Sequence, residues 1–383
     1  GSKMNKDNNT RREFLKKSAL VSTALFFAVN PTNSFSFQKN SNIKSRGYAA
    51  FDETGILKPW SFERKAVGEN DILIDIKYTS ICHSDIHHIK GDWFQQQYPQ
   101  VPGHEIVGIV SAIGKKVKKF KIGDRVGVGC MVDGSCRNNK EQYCEDTIFT
   151  YGYENSKEPT GITQGGYSNN IVVNSHFAVF IPKNITFEKA APLLCAGVTT
   201  YSPIIKAKIK KGMKVGVAGI GGLGHMAVKL AVSKGAKVYA FTTSKEKIED
   251  IKSFGVKEVI VVDDIEILKQ YNKKVDYMIS TIPEVFDISA YCNVVKPNGT
   301  FVQLGLPKSE LPINSFSMAQ NRVNFKSSLI GGMKDTQDVL NYCATNKVLP
   351  KIEIIKAEQI NEAWQKVLDK KARFRYVIDA STF

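Results

Sequence analysis

Between residues 214 and 304 the chain alternates short apolar runs with helix-length amphipathic stretches, and the first run ends in Gly219-Ile220-Gly221-Gly222-Leu223-Gly224. The runs at 214–219, 237–241, 259–262, 275–279 and 300–304 read as strands, and 223–233 and 245–254 read as helices. Strands that run the same way need a helical crossover between them. The alternation therefore predicts a doubly wound parallel sheet with helices on both faces, an α/β architecture. The glycine hexad sits between a strand and a helix. There Gly219, Gly221, Gly222 and Gly224 permit a tight turn, close approach of a pyrophosphate and close helix–sheet packing, with Leu223 opening the helix. Unpaired amides at that helix start favour an anion.

The end of the second strand separates the two nicotinamide cofactors. A site for NAD places a carboxylate there, to accept from the ribose 2′-hydroxyl. This chain reads Phe241-Thr242-Thr243-Ser244-Lys245-Glu246-Lys247, with hydroxyls and ammonium groups at the strand end. Thr242, Thr243, Ser244 and Lys247 suit a 2′-phosphate, so the expectation is NADP(H).

Ahead of this region stand Ile81-Cys82-His83-Ser84-Asp85-Ile86-His87, Pro102-Gly103-His104-Glu105 and Leu194-Cys195-Ala196. A thiolate, an imidazole and a second thiolate are what a catalytic zinc needs when its fourth position stays open. Metal and nicotinamide together imply hydride chemistry at a carbonyl or an alcohol. The surrounding stretch, 46–180, is β-rich: 71–78 alternates like a half-buried strand and 105–110 reads as a more buried one, with turns at Gly123-Asp124 and Gly165-Gly166. After Gly331 the chain is amphipathic at 335–343 and ends in a strand near 376–378.

A length of 383 residues allows two domains, and 42% hydrophobic with 23% charged residues is the balance of a soluble globular protein. The formal net charge is +16, but the lysines are dispersed and no arginine-rich arm is present, so no nucleic-acid partner is expected. Seven cysteines, two of them in the metal motif, argue against a full disulfide framework. At the N-terminus, Thr10-Arg11-Arg12-Glu13-Phe14-Leu15-Lys16 precedes an apolar run over 18–29 and a Ser34-Phe35-Ser36 cleavage pattern. This segment resembles a bacterial twin-arginine export signal, which implies a leader over 1–36 and a mature chain starting near Phe37. The run is shorter than the ~20 residues of a spanning helix, so no stable membrane span is expected once the leader is removed. The expected location is the periplasm, or the cytoplasm if the leader does not function.

From about Gly47 onward the chain resembles the zinc-dependent medium-chain alcohol dehydrogenases, in the cinnamyl-alcohol-dehydrogenase-like branch of NADP-dependent aldehyde reductases. The matching runs are Cys-His-Ser-Asp-Ile-His from Cys82, Tyr98-Pro-Gln-Val-Pro-Gly-His-Glu-Ile-Val-Gly108, Val128-Gly-Cys-Met-Val132, Thr163-Gln-Gly-Gly-Tyr167, Ala191-Pro-Leu-Leu-Cys-Ala-Gly-Val-Thr-Thr-Tyr201 and the glycine hexad. The resemblance implies a GroES-like β-rich catalytic domain at 47–198 and a Rossmann domain at 199–330, with 331–383 returning to the catalytic domain. It implies Cys82, His104 and Cys195 as zinc ligands, and Glu105 as an alternate ligand during exchange. Asp85 would accept from the His104 ring, and Ser84 and His87 would carry a proton between substrate, cofactor ribose and surface. Trp93 would line the pocket for a small alcohol or aldehyde, aromatic or medium-chain. A non-catalytic redox sensor or scaffold is the alternative; joint retention of Cys82, Ser84, His87, His104 and Cys195 argues against it, since a scaffold needs none of them.

One lobe departs from the pattern. The family normally carries a second, structural zinc on four cysteines, whereas this chain reads Cys136-Arg137-Asn138-Asn139-Lys140-Glu141-Gln142-Tyr143-Cys144. Asn139 stands at the second ligand position and the third is deleted. Two thiolates cannot close such a site, so one zinc is expected rather than two. Cys136 and Cys144 either form a disulfide or remain separate thiols. The lobe supports dimerisation in relatives, so a homodimer stays open.

Overall fold

The computed structural model describes residues 41–383, and 42–383 form one compact unit. The leader expected at 1–36 lies outside the described residues. Among the described residues the first strand starts at Ile43, ahead of the Gly47 at which the motif match starts. There the strand Ile43–Ala50 pairs antiparallel with Leu57–Arg64.

The catalytic lobe is built on a seven-stranded sheet. Along its main path lie Ile352–Ile355, Arg375–Asp379, Asp71–Ser80, Ile106–Ile113, Arg125–Val128 and Ala178–Phe180. The long strand Asp71–Ser80 divides one edge between two partners. Its first half pairs with Asn170–Asn174 and its last residues pair with Arg375–Asp379. The C-terminal strand is thereby stitched into a sheet made by the first third of the chain. Its register leaves Arg375 beside the catalytic centre.

The nucleotide lobe is a six-stranded parallel sheet in the order Glu258–Val261, Lys237–Thr242, Lys214–Ala218, Val275–Ser280, Val295–Gln303 and Asn324–Ser327. Chain order reverses between Lys214–Ala218 and Val275–Ser280, and a ligand crevice opens at the strand ends of such a reversal. The helix Gly222–Ser233 follows the first of these strands. The stretch expected to be helical over 245–254 is instead a 3₁₀ turn, Lys245–Lys247, leading into a short helix, Ile248–Ser253. The last predicted strand starts earlier than expected, at Val295. A register shift, with Asn298 at φ 63°, absorbs the Pro297-Asn298-Gly299 turn that hid its first half from the periodicity.

One apolar core runs through both lobes. Ile72, Ile106 and Val126 of the catalytic sheet join Val198 and Ile204 of the helix Ala196–Lys206, then Val215, Met226 and Leu230 of the nucleotide lobe. Each such side chain contributes about 1.5–3 kcal/mol on burial, so this shared core is what fixes the lobes against each other. The domain boundary expected at 198/199 falls inside that helix, which belongs to the junction rather than to either lobe. Among the described residues no helix is long and apolar enough to cross a membrane.

Candidate active site

Each member of the metal trio is presented by a different local device. Cys82 is the N-cap of the helix His83–Ile89, and its backbone N–H donates to Asp85 Oδ2 at 2.9 Å. His104 follows Gly103, whose φ of 107° turns the chain where a Cβ would strike Tyr167. Cys195 caps the helix Ala196–Lys206 after a 3₁₀ turn that contains Pro192. The ligand atoms of Cys82, His104 and Cys195 all lie within 4.8 Å of one another. His104 and Cys195 are buried, and Cys82 is half-buried.

Asp85 takes both roles open to it in the sequence. While capping the helix it stands 2.9 Å from His104 Nδ1, and it also accepts from Tyr151 at 2.8 Å and Tyr167 at 3.0 Å. Those donors satisfy a carboxylate that has no solvent contact. Burial alone would lower the His104 pKa; the Asp85 charge outweighs it and holds the ring well above its usual value. Hydrogen bonding from Cys195, with His104 nearby, draws the Cys82 thiol well below its usual value. Two sulfurs and an imidazole, one sulfur biased toward thiolate, fit a soft divalent cation such as zinc.

Glu105 stands apart from this trio. Its carboxylate pairs with Arg375, accepts from the Ser80 hydroxyl and takes the Ala196 backbone N–H at 3.1 Å. Burial pushes its pKa to about 8 against the opposing Arg375 charge. In this arrangement the Glu105 oxygens engage Arg375, Ser80 and the Ala196 N–H rather than joining the trio.

A cavity of about 1060 Å³ joins the trio to the glycine turn and on to the end of the second parallel strand. Gly219 has φ 84°, and a Cβ at Gly224 would lie 1.8 Å from the Gly219 carbonyl oxygen, so those two positions admit only glycine. A Cβ at Gly221 would meet nothing within 4 Å, which leaves the space a phosphate needs. Leu223, Thr242, Thr243, Ser244 and Lys247 line the far end, with Lys247 buried 5.2 Å from the Phe374 ring centroid. No carboxylate follows the strand before Glu246. The cradle fits an extended dinucleotide with a phosphorylated ribose.

Ser84, His87 and Trp93 also line the cavity. His87 Nδ1 contacts Asp92 Oδ2 at 2.6 Å, its ring stacks on His83 at 4.7 Å, and its Nε2 is buried without a partner. Trp93 is half-buried at the wall rather than in the core, and its indole N–H donates to the Leu306 carbonyl at 3.3 Å.

Several site residues escaped the sequence reading. Arg375 reaches both Glu105 and Gly222, whose added Cβ would meet its Cδ at 2.7 Å. The signal was an arginine inside the apolar run Phe374-Arg375-Tyr376-Val377. Thr281 donates to the Gly219 carbonyl at 2.6 Å and props the glycine turn from the neighbouring strand. Cys130 lines the wall beside the trio. In the departed lobe, Cys136 and Cys144 form a disulfide, so neither sulfur is a thiolate donor. Asn139 holds a helix instead of a metal: it donates to Asp335 Oδ1 at 2.9 Å and accepts from Asp335 N–H at 3.0 Å, at the start of the helix Met333–Asn346.

Comparison with known proteins matches residues 68–183 to the alcohol dehydrogenase GroES-like domain and 222–345 to the zinc-binding dehydrogenase family. NADP-dependent alcohol dehydrogenase C 1 of Mycolicibacterium smegmatis is 42% identical over 340 residues, covering 88% of this chain and 97% of that protein. Cinnamyl alcohol dehydrogenase 2 of Rauvolfia serpentina is 41% identical over 345 residues, with coverages of 88% and 95%. The crystal structure of the Helicobacter pylori enzyme CAD, complexed with NADP(H), superposes with a TM-score of 0.85 at 43% identity, covering 89% of this chain and 99% of that one.

Proposed function

The chain belongs to the zinc-dependent medium-chain alcohol dehydrogenases, in their cinnamyl-alcohol-dehydrogenase-like branch, and on that premise we propose how its own residues divide the work. It is an NADP(H)- and zinc-dependent alcohol dehydrogenase and aldehyde reductase. The observation that carries the assignment of roles is the convergence of Cys82, His104 and Cys195 at one end of a cavity whose other end is the glycine turn.

Cys82, His104 and Cys195 would hold the zinc, which when bound supplies a Lewis acid that draws charge from a carbonyl oxygen. The glycine turn, Thr242–Ser244 and Lys247 would hold NADPH, the source of the hydride. Asp85 keeps the His104 ring oriented, with Nδ1 engaged and Nε2 left for the metal side. Ser84, half-buried at the wall, is placed to pass a proton to or from the substrate oxygen. His87 Nε2, unpartnered at the cavity wall, is placed to take up or release a proton, while Nδ1 stays bound to Asp92. The apolar walls exclude water, so charge that develops at the reacting oxygen meets little competing solvation.

For the substrate we infer an aromatic or similarly large aldehyde. The cavity wall on the catalytic side includes Trp93, Phe149 and Tyr151, faces suited to a ring. We also read residues 1–36 as an export leader and the periplasm as the site of action. The Cys136–Cys144 disulfide supports this, because such bonds persist in oxidising compartments.

The test is NADPH consumption across a panel of aromatic and aliphatic aldehydes, with metal and nucleotide analysis of the purified protein. About one zinc per chain is expected, with activity lost on chelation and rates with aromatic aldehydes above those with short aliphatic ones. Turnover that survives zinc removal would reject the assigned roles. Fractionation of cells expressing the full chain tests location.

A further inference from the structure

We propose that Lys308 is a positioning residue: by reaching across the cleft from the nucleotide lobe it holds the Asp92 carboxylate that orients His87 on the proton path. The inference rests on the relay read above and adds a group from the opposite lobe.

Lys308 lies in the segment after the strand Val295–Gln303 of the nucleotide sheet. Asp92 and Trp93 follow the helix His83–Ile89 of the catalytic lobe. Lys308 Nζ is 2.7 Å from Asp92 Oδ1, while Asp92 Oδ2 is 2.6 Å from His87 Nδ1. One carboxylate is thus divided between an ammonium of one lobe and an imidazole of the other. The same loop is fastened a second time, residue for residue, by the Trp93 N–H on the Leu306 carbonyl at 3.3 Å. Asp92 is the sheltered partner, its side chain 11% exposed against 60% for Lys308. Burial opposes its charged form, yet Lys308 and then His87 hold its pKa below the usual carboxylate value.

The consequence is geometric. With Lys308 on one oxygen, the Asp92 carboxylate is held from the opposite lobe while its other oxygen engages His87 Nδ1. That fixes the ring with Nε2 left unpartnered. Other charged or titratable groups face His87 as well. His83 stacks on it, and beyond His83 lie the Glu284–Lys370 pair at 2.7 Å and the Cys82 thiol. None of them touches Asp92.

The experiment uses the zinc- and NADP-loaded enzyme with the variants K308M and K308R; the site is on the surface, so folding is not at stake. In K308M kcat for alcohol oxidation should fall about two- to fivefold with the alcohol KM unchanged, since the His87 ring is no longer held in place. NADPH release should quicken by about two- to fivefold, the range of one exposed ion pair. High salt should do the same to the wild type, and K308R should restore both readouts. A K308M enzyme with the wild-type kcat and release rate overturns the proposal, as does a K308R that behaves like K308M. A wild-type protein that oxidises no alcohol at all fails differently: it removes the relay reading, and the proposal with it.

Discussion

Asp85 Oδ1 stands 2.9 Å from Nδ1 of His104, so the buried carboxylate that starts the helix His83–Ile89 also sets the tautomer of the imidazole in the metal trio. Removing its charge should loosen the site without dismantling the fold. Asp85→Asn is expected to lower zinc affinity about 10–100-fold, the usual cost of losing such an orienting partner. Zinc retained per chain after dialysis against a graded chelator series measures it. An unchanged midpoint would show that His104 is oriented by packing alone.

Lys247 provides the buried positive charge at the ribose end of the cavity. Lys247→Ala should raise KM for NADPH by about ten- to hundredfold, the worth of a hydrogen bond to a charged group, and leave NADH nearly unaffected. Parallel steady-state kinetics with both cofactors decides it. Equal losses with the two would move the phosphate contact elsewhere.

His225 predicts an acid limit to stability. Its Nδ1–H donates to the Gly222 carbonyl at 2.7 Å and its Nε2 accepts from Lys351 N–H at 3.2 Å, an arrangement that requires the neutral ring. Burial drives its pKa down to about 3. The unfolded chain therefore binds the extra proton first, and stability that is full above the unfolded value near 6.5 falls as pH drops toward 3. At pH 5 the cost is on the order of 2 kcal/mol. Thermal midpoints of wild type and His225→Gln between pH 7 and pH 5 should show a shallower loss in the variant.

The Cys136–Cys144 disulfide closes a loop with a sequence separation of 8. Chain entropy over a loop that short gives a stabilisation of about 2.5 kcal/mol. Cys136→Ser should lower the unfolding midpoint and make it insensitive to reductant, whereas the wild type loses the same amount when reduced. Because Asn139 in this loop caps the helix Met333–Asn346, the first amides of that helix should also exchange faster.

Five of the nucleotide lobe's six strands were legible, because short apolar runs separated by amphipathic stretches reflect backbone geometry that each segment carries locally, whereas the largely polar, exposed Asn324–Ser327 gave no such run. The exceptions have local causes as well. Pro297-Asn298-Gly299 masked the first half of one strand, and Lys245–Lys247 tightened to 3₁₀ where a longer helix was expected. At the site, Cys82, His104, Cys195 and the glycine hexad stood out because each must be one particular residue type. Lys308 did not, since an isolated basic residue in a chain with 53 lysines and arginines carries no signal of its own, and Arg375 was marked only by its place in an apolar run.

From its sequence alone this protein determined which chemistry it holds: thiolates and imidazole for a metal, bare backbone for a pyrophosphate, hydroxyls and ammonium for a second phosphate. Only the tertiary structure decided which partners those groups choose. Glu105 turns to Arg375 across 270 positions, Asp92 is shared between His87 and a lysine of the other lobe, and Cys136 finds Cys144. Residue type and periodicity are properties of a segment. The pairing of a carboxylate or a thiol depends on which distant side chain the packed core brings within hydrogen-bonding reach, and no segment records that by itself.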